Sequence, residues 1–134
     1  MPQISVNEFS CHYEYQHREG APCVIFMNGI LSPLESWHEQ AALVSELGYS
    51  VLRYEYRGQW HSQVTPGPYS MQLHVDDLRA LMQVLKIDSA HVVGTSYGGQ
   101  VAMKFASVAP ESVRSLMLIA TSARISPAAQ GIIC

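Results

Sequence analysis

Charge is scarce in this 134-residue sequence: Asp, Glu, Lys and Arg together make up 14% of it, against about 25% in ordinary soluble domains. So little polar material points to a sheet buried on both faces, or to a surface covered by a partner. Lys/Arg runs are missing and the formal net charge is -3, so the footprint needed to bind a phosphate backbone is absent and no nucleic-acid partner is expected. Long apolar runs are missing too. Nothing approaches the roughly 20 residues that span a bilayer, and Met1 to Ser10 contain no basic segment followed by an apolar one, so the expected location is the cytoplasm, without a membrane partner. Cysteine is limited to Cys11, Cys23 and Cys134, without a CxxC pair or a Cys/His cluster. A disulfide framework and a zinc centre are therefore not expected, and the thiols read as free.

What the sequence does have is alternation. Repeats, low-complexity tracts and linker-like stretches are lacking, so residues 1–134 read as one domain. Ile4 and Val6, then Tyr13 and Tyr15, recur with period two across the turn-prone Asn7 to Ser10, which predicts an opening antiparallel hairpin. Four short apolar runs follow: Cys23 to Met27, Val51 to Tyr54, His91 to Val93 and Val113 to Ala120. Such runs fit strands buried on both faces. Between them, Leu34, Trp37, Ala41, Val44 and Leu47 recur at helical spacing ahead of Gly48. His74, Leu78, Leu81, Met82 and Leu85 do the same, with Ser70 as cap and Asp76 and Asp77 in the early turns. A third helix follows Tyr97 and ends before Pro110. The order, a hairpin and then β-α-β-α-β-α-β, predicts an α/β fold with a mostly parallel sheet covered by helices on both faces.

Gly94-Thr95-Ser96-Tyr97-Gly98-Gly99 is the sharpest chemical signal. A strand that turns abruptly into a helix holds Ser96 in a strained conformation, and side chains two residues to either side would collide, so Gly94 and Gly98 are required there; Gly99 completes the elbow. Ser96 is thereby placed at the carboxyl edge of the sheet as a nucleophile.

On these residues the sequence resembles the α/β-hydrolase superfamily, in particular its small esterase, enol-lactonase and haloperoxidase-like members, over nearly the whole chain. The resemblance implies an oxyanion loop at Met27-Asn28-Gly29-Ile30, with the backbone amides of Ile30 and Tyr97 as donors to a tetrahedral oxyanion. Asn28 stands where histidine is commoner. Asn-Gly there is similar to polyhydroxyalkanoate depolymerases and hydroxyacyl transferases, which makes Asn28 and Gly29 substrate-side candidates, although a local hydrogen bond that holds the loop is an equal reading of Asn28. Glu55-Tyr56-Arg57-Gly58-Gln59-Trp60-His61-Ser62 is similar to the family's Asp-x-Arg-Gly-x-Gly-x-Ser run, with Glu55 for the aspartate and Trp60 for the second glycine. Trp60 then offers an apolar surface to an acyl chain, or packs on its own loop. Asp77 falls where relatives have an acid and reads as structural.

The family's triad runs Ser, then Asp or Glu, then His along the chain. After Ser96 the sequence has one acid, Glu111, and no histidine. Glu111 belongs to the amino edge of the sheet, opposite Ser96, and Thr121 to Cys134 offers no substitute. The chain thus resembles the first half of such an enzyme, stopping after the sixth strand. Of the six histidines, His61 is the best stand-in base, since its loop leaves the carboxyl end of a strand, although no acid is evident to orient it. His91 falls at the wrong edge, His38 and His74 on outer helices, and His12 and His17 in a solvated hairpin. No pair has the spacing of a helical zinc site, so no metal site is expected.

Three readings follow. One is a serine hydrolase acting, without a cofactor, on a small-molecule ester, lactone or acyl thioester. Another is an inactive fragment or interaction module, and the third a chain complemented in trans or by self-association through the apolar Val113 to Ala120 edge.

Overall fold

The computed structural model describes residues 3–30 and 32–121. The expectations for Cys134 and for residues 122–134 lie outside the described residues. The chain opens with a hairpin of β1 (Gln3–Val6) and β2 (Phe9–Gln16). Its turn is tighter than the sequence suggested: Phe9 and Ser10 already belong to β2, and Asn7 and Glu8 alone reverse the chain at φ values of 43° and 69°. Two successive left-handed residues match the twist of the flanking strands.

Next come β3 (Cys23–Met27), α1 (His38–Glu46), β4 (Ser50–Tyr54), α2 (Met71–Val84), β5 (Ala90–Thr95), α3 (Tyr97–Val108) and β6 (Val113–Ile119). The sheet order is β1-β2-β4-β3-β5-β6. β2 pairs antiparallel with β4, while the β4-β3, β3-β5 and β5-β6 pairs are parallel. Both β3 and β4 are buried along their whole length, as expected for strands covered on two faces. The predicted α/β sheet with an N-terminal hairpin is present.

The two faces carry different cores. On one, Ile25, Leu52 and Val92 pack against Leu78 and Leu81 of α2 and Val101 and Phe105 of α3. On the other, Val24, Phe26 and Val51 pack against Trp37 and Ala41, with the Phe26 and Trp37 rings 4.9 Å apart. Each fully buried side chain of this kind contributes about 1.5–3 kcal/mol. The Ser70 cap is formed, its hydroxyl accepting from the Leu73 amide at 3.1 Å. The helix expected over residues 34–47 differs in two ways. It begins as a 3-10 turn, Leu34–Trp37, and Leu47 is 68% exposed, because the chain is already reversing toward Gly48 at φ 100°.

Cys11 and Cys23 are free and buried, and burial pushes each thiol up to about 12. They pack as small apolar side chains. On β6, Met117, Leu118 and Ile119 are 59%, 40% and 42% exposed, so the expected apolar edge is present among the described residues.

Candidate active site

Ser96 joins β5 directly to α3 and takes φ 52°, ψ -121°. An L-residue in this region costs about 1–3 kcal/mol and persists only where its surroundings over-determine it. Here they do. The Ser96 amide donates to Ile119 of β6 at 3.0 Å, and its carbonyl accepts from the Gly99 amide at 3.0 Å, the Gln100 amide at 3.3 Å and the Thr121 hydroxyl at 2.6 Å. The glycines are needed for space. A β-carbon on Gly94 would sit 2.6 Å from the Gly98 carbonyl oxygen, one on Gly98 would overlap the carbonyl oxygens of Met27 and Asn28, and one on Gly99 would sit 2.6 Å from the Thr121 methyl. The result is an exposed serine at the carboxyl edge of the sheet, at the positive end of the α3 dipole.

The loop after β3 lies against this elbow: a β-carbon on Gly29 would be 3.6 Å from Ser96 Cβ. Asn28 is 1% exposed, and its amide donates to the carbonyls of Ser32 at 3.0 Å and Tyr54 at 3.3 Å. Its backbone carbonyl accepts from the Tyr56 hydroxyl at 2.7 Å. Asn28 thus braces the loop through its side-chain donors, while its Oδ1 is buried without a hydrogen-bond partner among the described residues. Ile30 is half-buried against the core, and Tyr97 is the buried first residue of α3.

The remaining sequence candidates sort by position. His61 does not meet Ser96. Its ring packs 4.7 Å from that of His12 on β2, and β2 lies three strand positions from β5, about 14 Å at the usual strand spacing. It does have an acid beside it, contrary to expectation: Glu55 Oε1 is 3.4 Å from its Nδ1. Trp60, on the same loop, is 56% exposed and follows β4, two strand positions from β5. His12 is 3% exposed rather than solvated. Glu111 sits in the turn before β6, at the amino edge. Among the described residues no imidazole hydrogen-bonds the Ser96 hydroxyl.

His74 lies on the buried stripe of α2 with Leu78, Leu81 and Met82, where its spacing put it. It is 5% exposed, wedged against Tyr56, Tyr97 and Tyr69 at ring distances of 5.1, 5.8 and 6.1 Å. Burial pushes its pKa below the ordinary 6.5. A depressed histidine favours folding while neutral, so this contribution is present above the unfolded value and is lost as pH falls. Acid titration from about pH 7 to about pH 5 should lower stability, and His74→Phe should flatten that slope in urea melts.

The loop that follows β4 is pinned from both sides. Arg57 grips Asp77 of α2 through Nε at 3.1 Å and Nη2 at 2.8 Å, and donates to the Asn7 carbonyl at 2.6 Å. On the other side, Glu55 accepts from the amides of Leu34 at 3.0 Å and His61 at 2.9 Å. The fold also gathers His12, Glu35, Glu55 and His61, a convergence that no sequence spacing announces. An apolar groove of about 370 Å³ between α1 and β6, lined by Phe26, Trp37, Val44, Tyr49, Met117 and Ile119 among others, does not include Ser96. Among the described residues no helix is long and apolar enough to cross a membrane.

Comparison with known proteins fits this architecture. The sequence profile of the alpha/beta hydrolase fold family matches residues 22–134. The chain is 32% identical over 98 residues to epoxide hydrolase 2 of Siraitia grosvenorii, covering 72% of this chain and 31% of that protein. It is 28% identical over 125 residues to 3-oxoadipate enol-lactonase 2 of Acinetobacter baylyi, covering 93% and 46%. The crystal structure of the enol-lactonase from Burkholderia xenovorans superposes with a TM-score of 0.88 at 32% identity, covering 93% of this chain and 48% of that one. The chain spans less than half the length of these relatives.

Proposed function

The chain belongs to the α/β-hydrolase fold family, and from that premise we propose that Ser96 is the nucleophile of a serine hydrolase acting on a small carboxylic ester, lactone or acyl thioester. The observation that carries the reading is the strained backbone of Ser96 at φ 52°, held between glycines whose β-carbons would strike neighbouring backbone. Strain maintained by its surroundings at one exposed hydroxyl marks a functional position.

In this reading the Ser96 hydroxyl adds to the acyl carbonyl, and the amides of Ile30 and Tyr97 receive the negative charge on its oxygen. Losing one such donor typically costs about 3 kcal/mol. The alcohol or thiol then leaves, and water releases the acid from the Ser96 ester. No cofactor enters this sequence. A base must take the serine proton; no imidazole among the described residues bonds Ser96, and we propose that polypeptide other than these 134 residues supplies it, on the same or a second chain. The outer edge of β6, unpaired among the described residues and with Met117 and Leu118 exposed, is the surface we propose for such a partner.

The names of the relatives span epoxide and enol-lactone chemistry, and the side chain at the elbow favours the acyl reading. The test is turnover of p-nitrophenyl butyrate, an acyl thioester and an aryl epoxide by the protein expressed from its own gene. Ester or thioester hydrolysis is expected. Epoxide opening without either would overturn the reading.

A further inference from the structure

His12 of β2, Glu35 of the turn before α1, and Glu55 and His61 of the loop after β4 each offer one ligand atom, and these atoms all lie within 4.8 Å of one another. Two of the four are fixed in place. His12 is 3% and Glu55 1% exposed. The Glu55 carboxylate is oriented by the amides of Leu34 at 3.0 Å and His61 at 2.9 Å, and each of its oxygens retains a lone pair. The His12 ring contacts the Gln3 side-chain amide through Nδ1 at 3.0 Å. That leaves Nε2, which is buried without a hydrogen-bond partner among the described residues. A buried ring nitrogen with no partner is costly and uncommon.

We propose that these four side chains hold a divalent transition-metal ion of the zinc type. Two imidazoles and two carboxylates form an N2O2 set suited to such an ion, and the doubly positive charge balances the formal charges of the two carboxylates. Four tetrahedral ligands at about 2.1 Å from an ion lie about 3.4 Å from one another. His61 Nδ1 and Glu55 Oε1 are already 3.4 Å apart. The remaining contraction falls on Glu35 and His61, whose side chains are exposed and free to adjust. Gln3 serves as the outer partner of His12: turned so that its amide oxygen accepts from Nδ1–H, it frees the Nε2 lone pair for the ion. In that orientation it donates to the Ser10 hydroxyl instead of accepting from it, and gives up its exposed 3.3 Å bond to the His61 carbonyl.

With four protein ligands and no open position, the site is structural. It ties β2 and the loop after β4 to the turn Leu34–Trp37, and so braces the chain that follows the Asn28–Ile30 loop. It is separate from the Ser96 chemistry.

The test is calorimetric titration of ZnCl2 into the chelator-treated protein, with thermal melts at saturation. One ion per chain is expected, with a raised Tm. In Glu35→Ala/His61→Ala, which alters exposed side chains only, affinity should fall at least about 100-fold and the Tm gain should vanish. A control, His17→Ala/His38→Ala, should bind as the wild type does. Absence of stoichiometric binding, or binding unchanged in Glu35→Ala/His61→Ala, would overturn the proposal.

Discussion

Ser96→Ala is expected to lower ester turnover by about a millionfold, the loss seen when the serine of a catalytic triad is removed. That corresponds to about 8 kcal/mol of barrier. So large an effect is expected because the Ser96 hydroxyl is the one held exposed in a strained backbone at the joint of β5 and α3, beside the Asn28–Ile30 loop. Alanine keeps the β-carbon and the same backbone demand, and the elbow is held by backbone bonds to Ile119, Gly99 and Gln100 that do not use the hydroxyl. Stability should therefore change little. The contrast between unchanged melting and lost turnover separates a nucleophile from a structural serine, and loss of both together would count against the assignment.

Asp77→Ala should cost about 3–5 kcal/mol of folding stability, since removing one member of a buried ion pair strands the other. For a domain whose total stability is about 5–15 kcal/mol, that is enough to unfold much of the population on mild heating. Side-chain exposures of 9% for Arg57 and 3% for Asp77 place the pair well inside the protein. Arg57 also lies 4.6 Å over the Phe9 ring, and Asn7 donates to Asp77 at 2.7 Å. One carboxylate thus joins the β1-β2 turn, the loop after β4 and α2. In Arg57→Leu/Asp77→Leu the stranded charge is gone, so urea melts should show the double variant less destabilised than the two single changes summed. A loss below about 1 kcal/mol for Asp77→Ala would mean that the pair is not buried in solution.

Much of this was legible in the sequence because it is written locally. Apolar runs marked the inner strands, Ser70 marked the start of α2, and Gly-x-Ser-x-Gly marked an elbow whose glycines fail on contact with backbone from α3 and β3. The run from Glu55 to Ser62 was legible as a family pattern, and the structure supplies its physical meaning. Arg57 reaches Asp77, a β-carbon on Gly58 would sit 2.5 Å from the Tyr69 ring, and the Ser62 hydroxyl links the His12 amide to the Glu55 carbonyl at 2.8 and 2.7 Å. Trp60, at φ 48°, occupies the left-handed position where the family pattern has glycine.

What escaped the sequence depended on lateral order in the sheet. His61 does leave the carboxyl end of a strand, but β4 lies on the hairpin side of β3 while β5 lies on the other. Hydrophobic periodicity carries no information on that order. The burial of His12 escaped for a related reason: it is polar by type, and the loop after β4 covers it. Asn28 was legible as a choice between two roles, and its bonds to Ser32 and Tyr54 are the loop-holding contacts of one of them.

The measurement closest to the central claim is covalent labelling of the protein, expressed from its own gene, with a fluorophosphonate, followed by peptide mapping beside Ser96→Ala. Such a probe reports an activated serine. The result expected is one modified peptide, carrying Ser96, and no modification of the variant. Labelling at another residue, or none in a sample that melts cooperatively, would show that the elbow is built but that Ser96 is not the nucleophile.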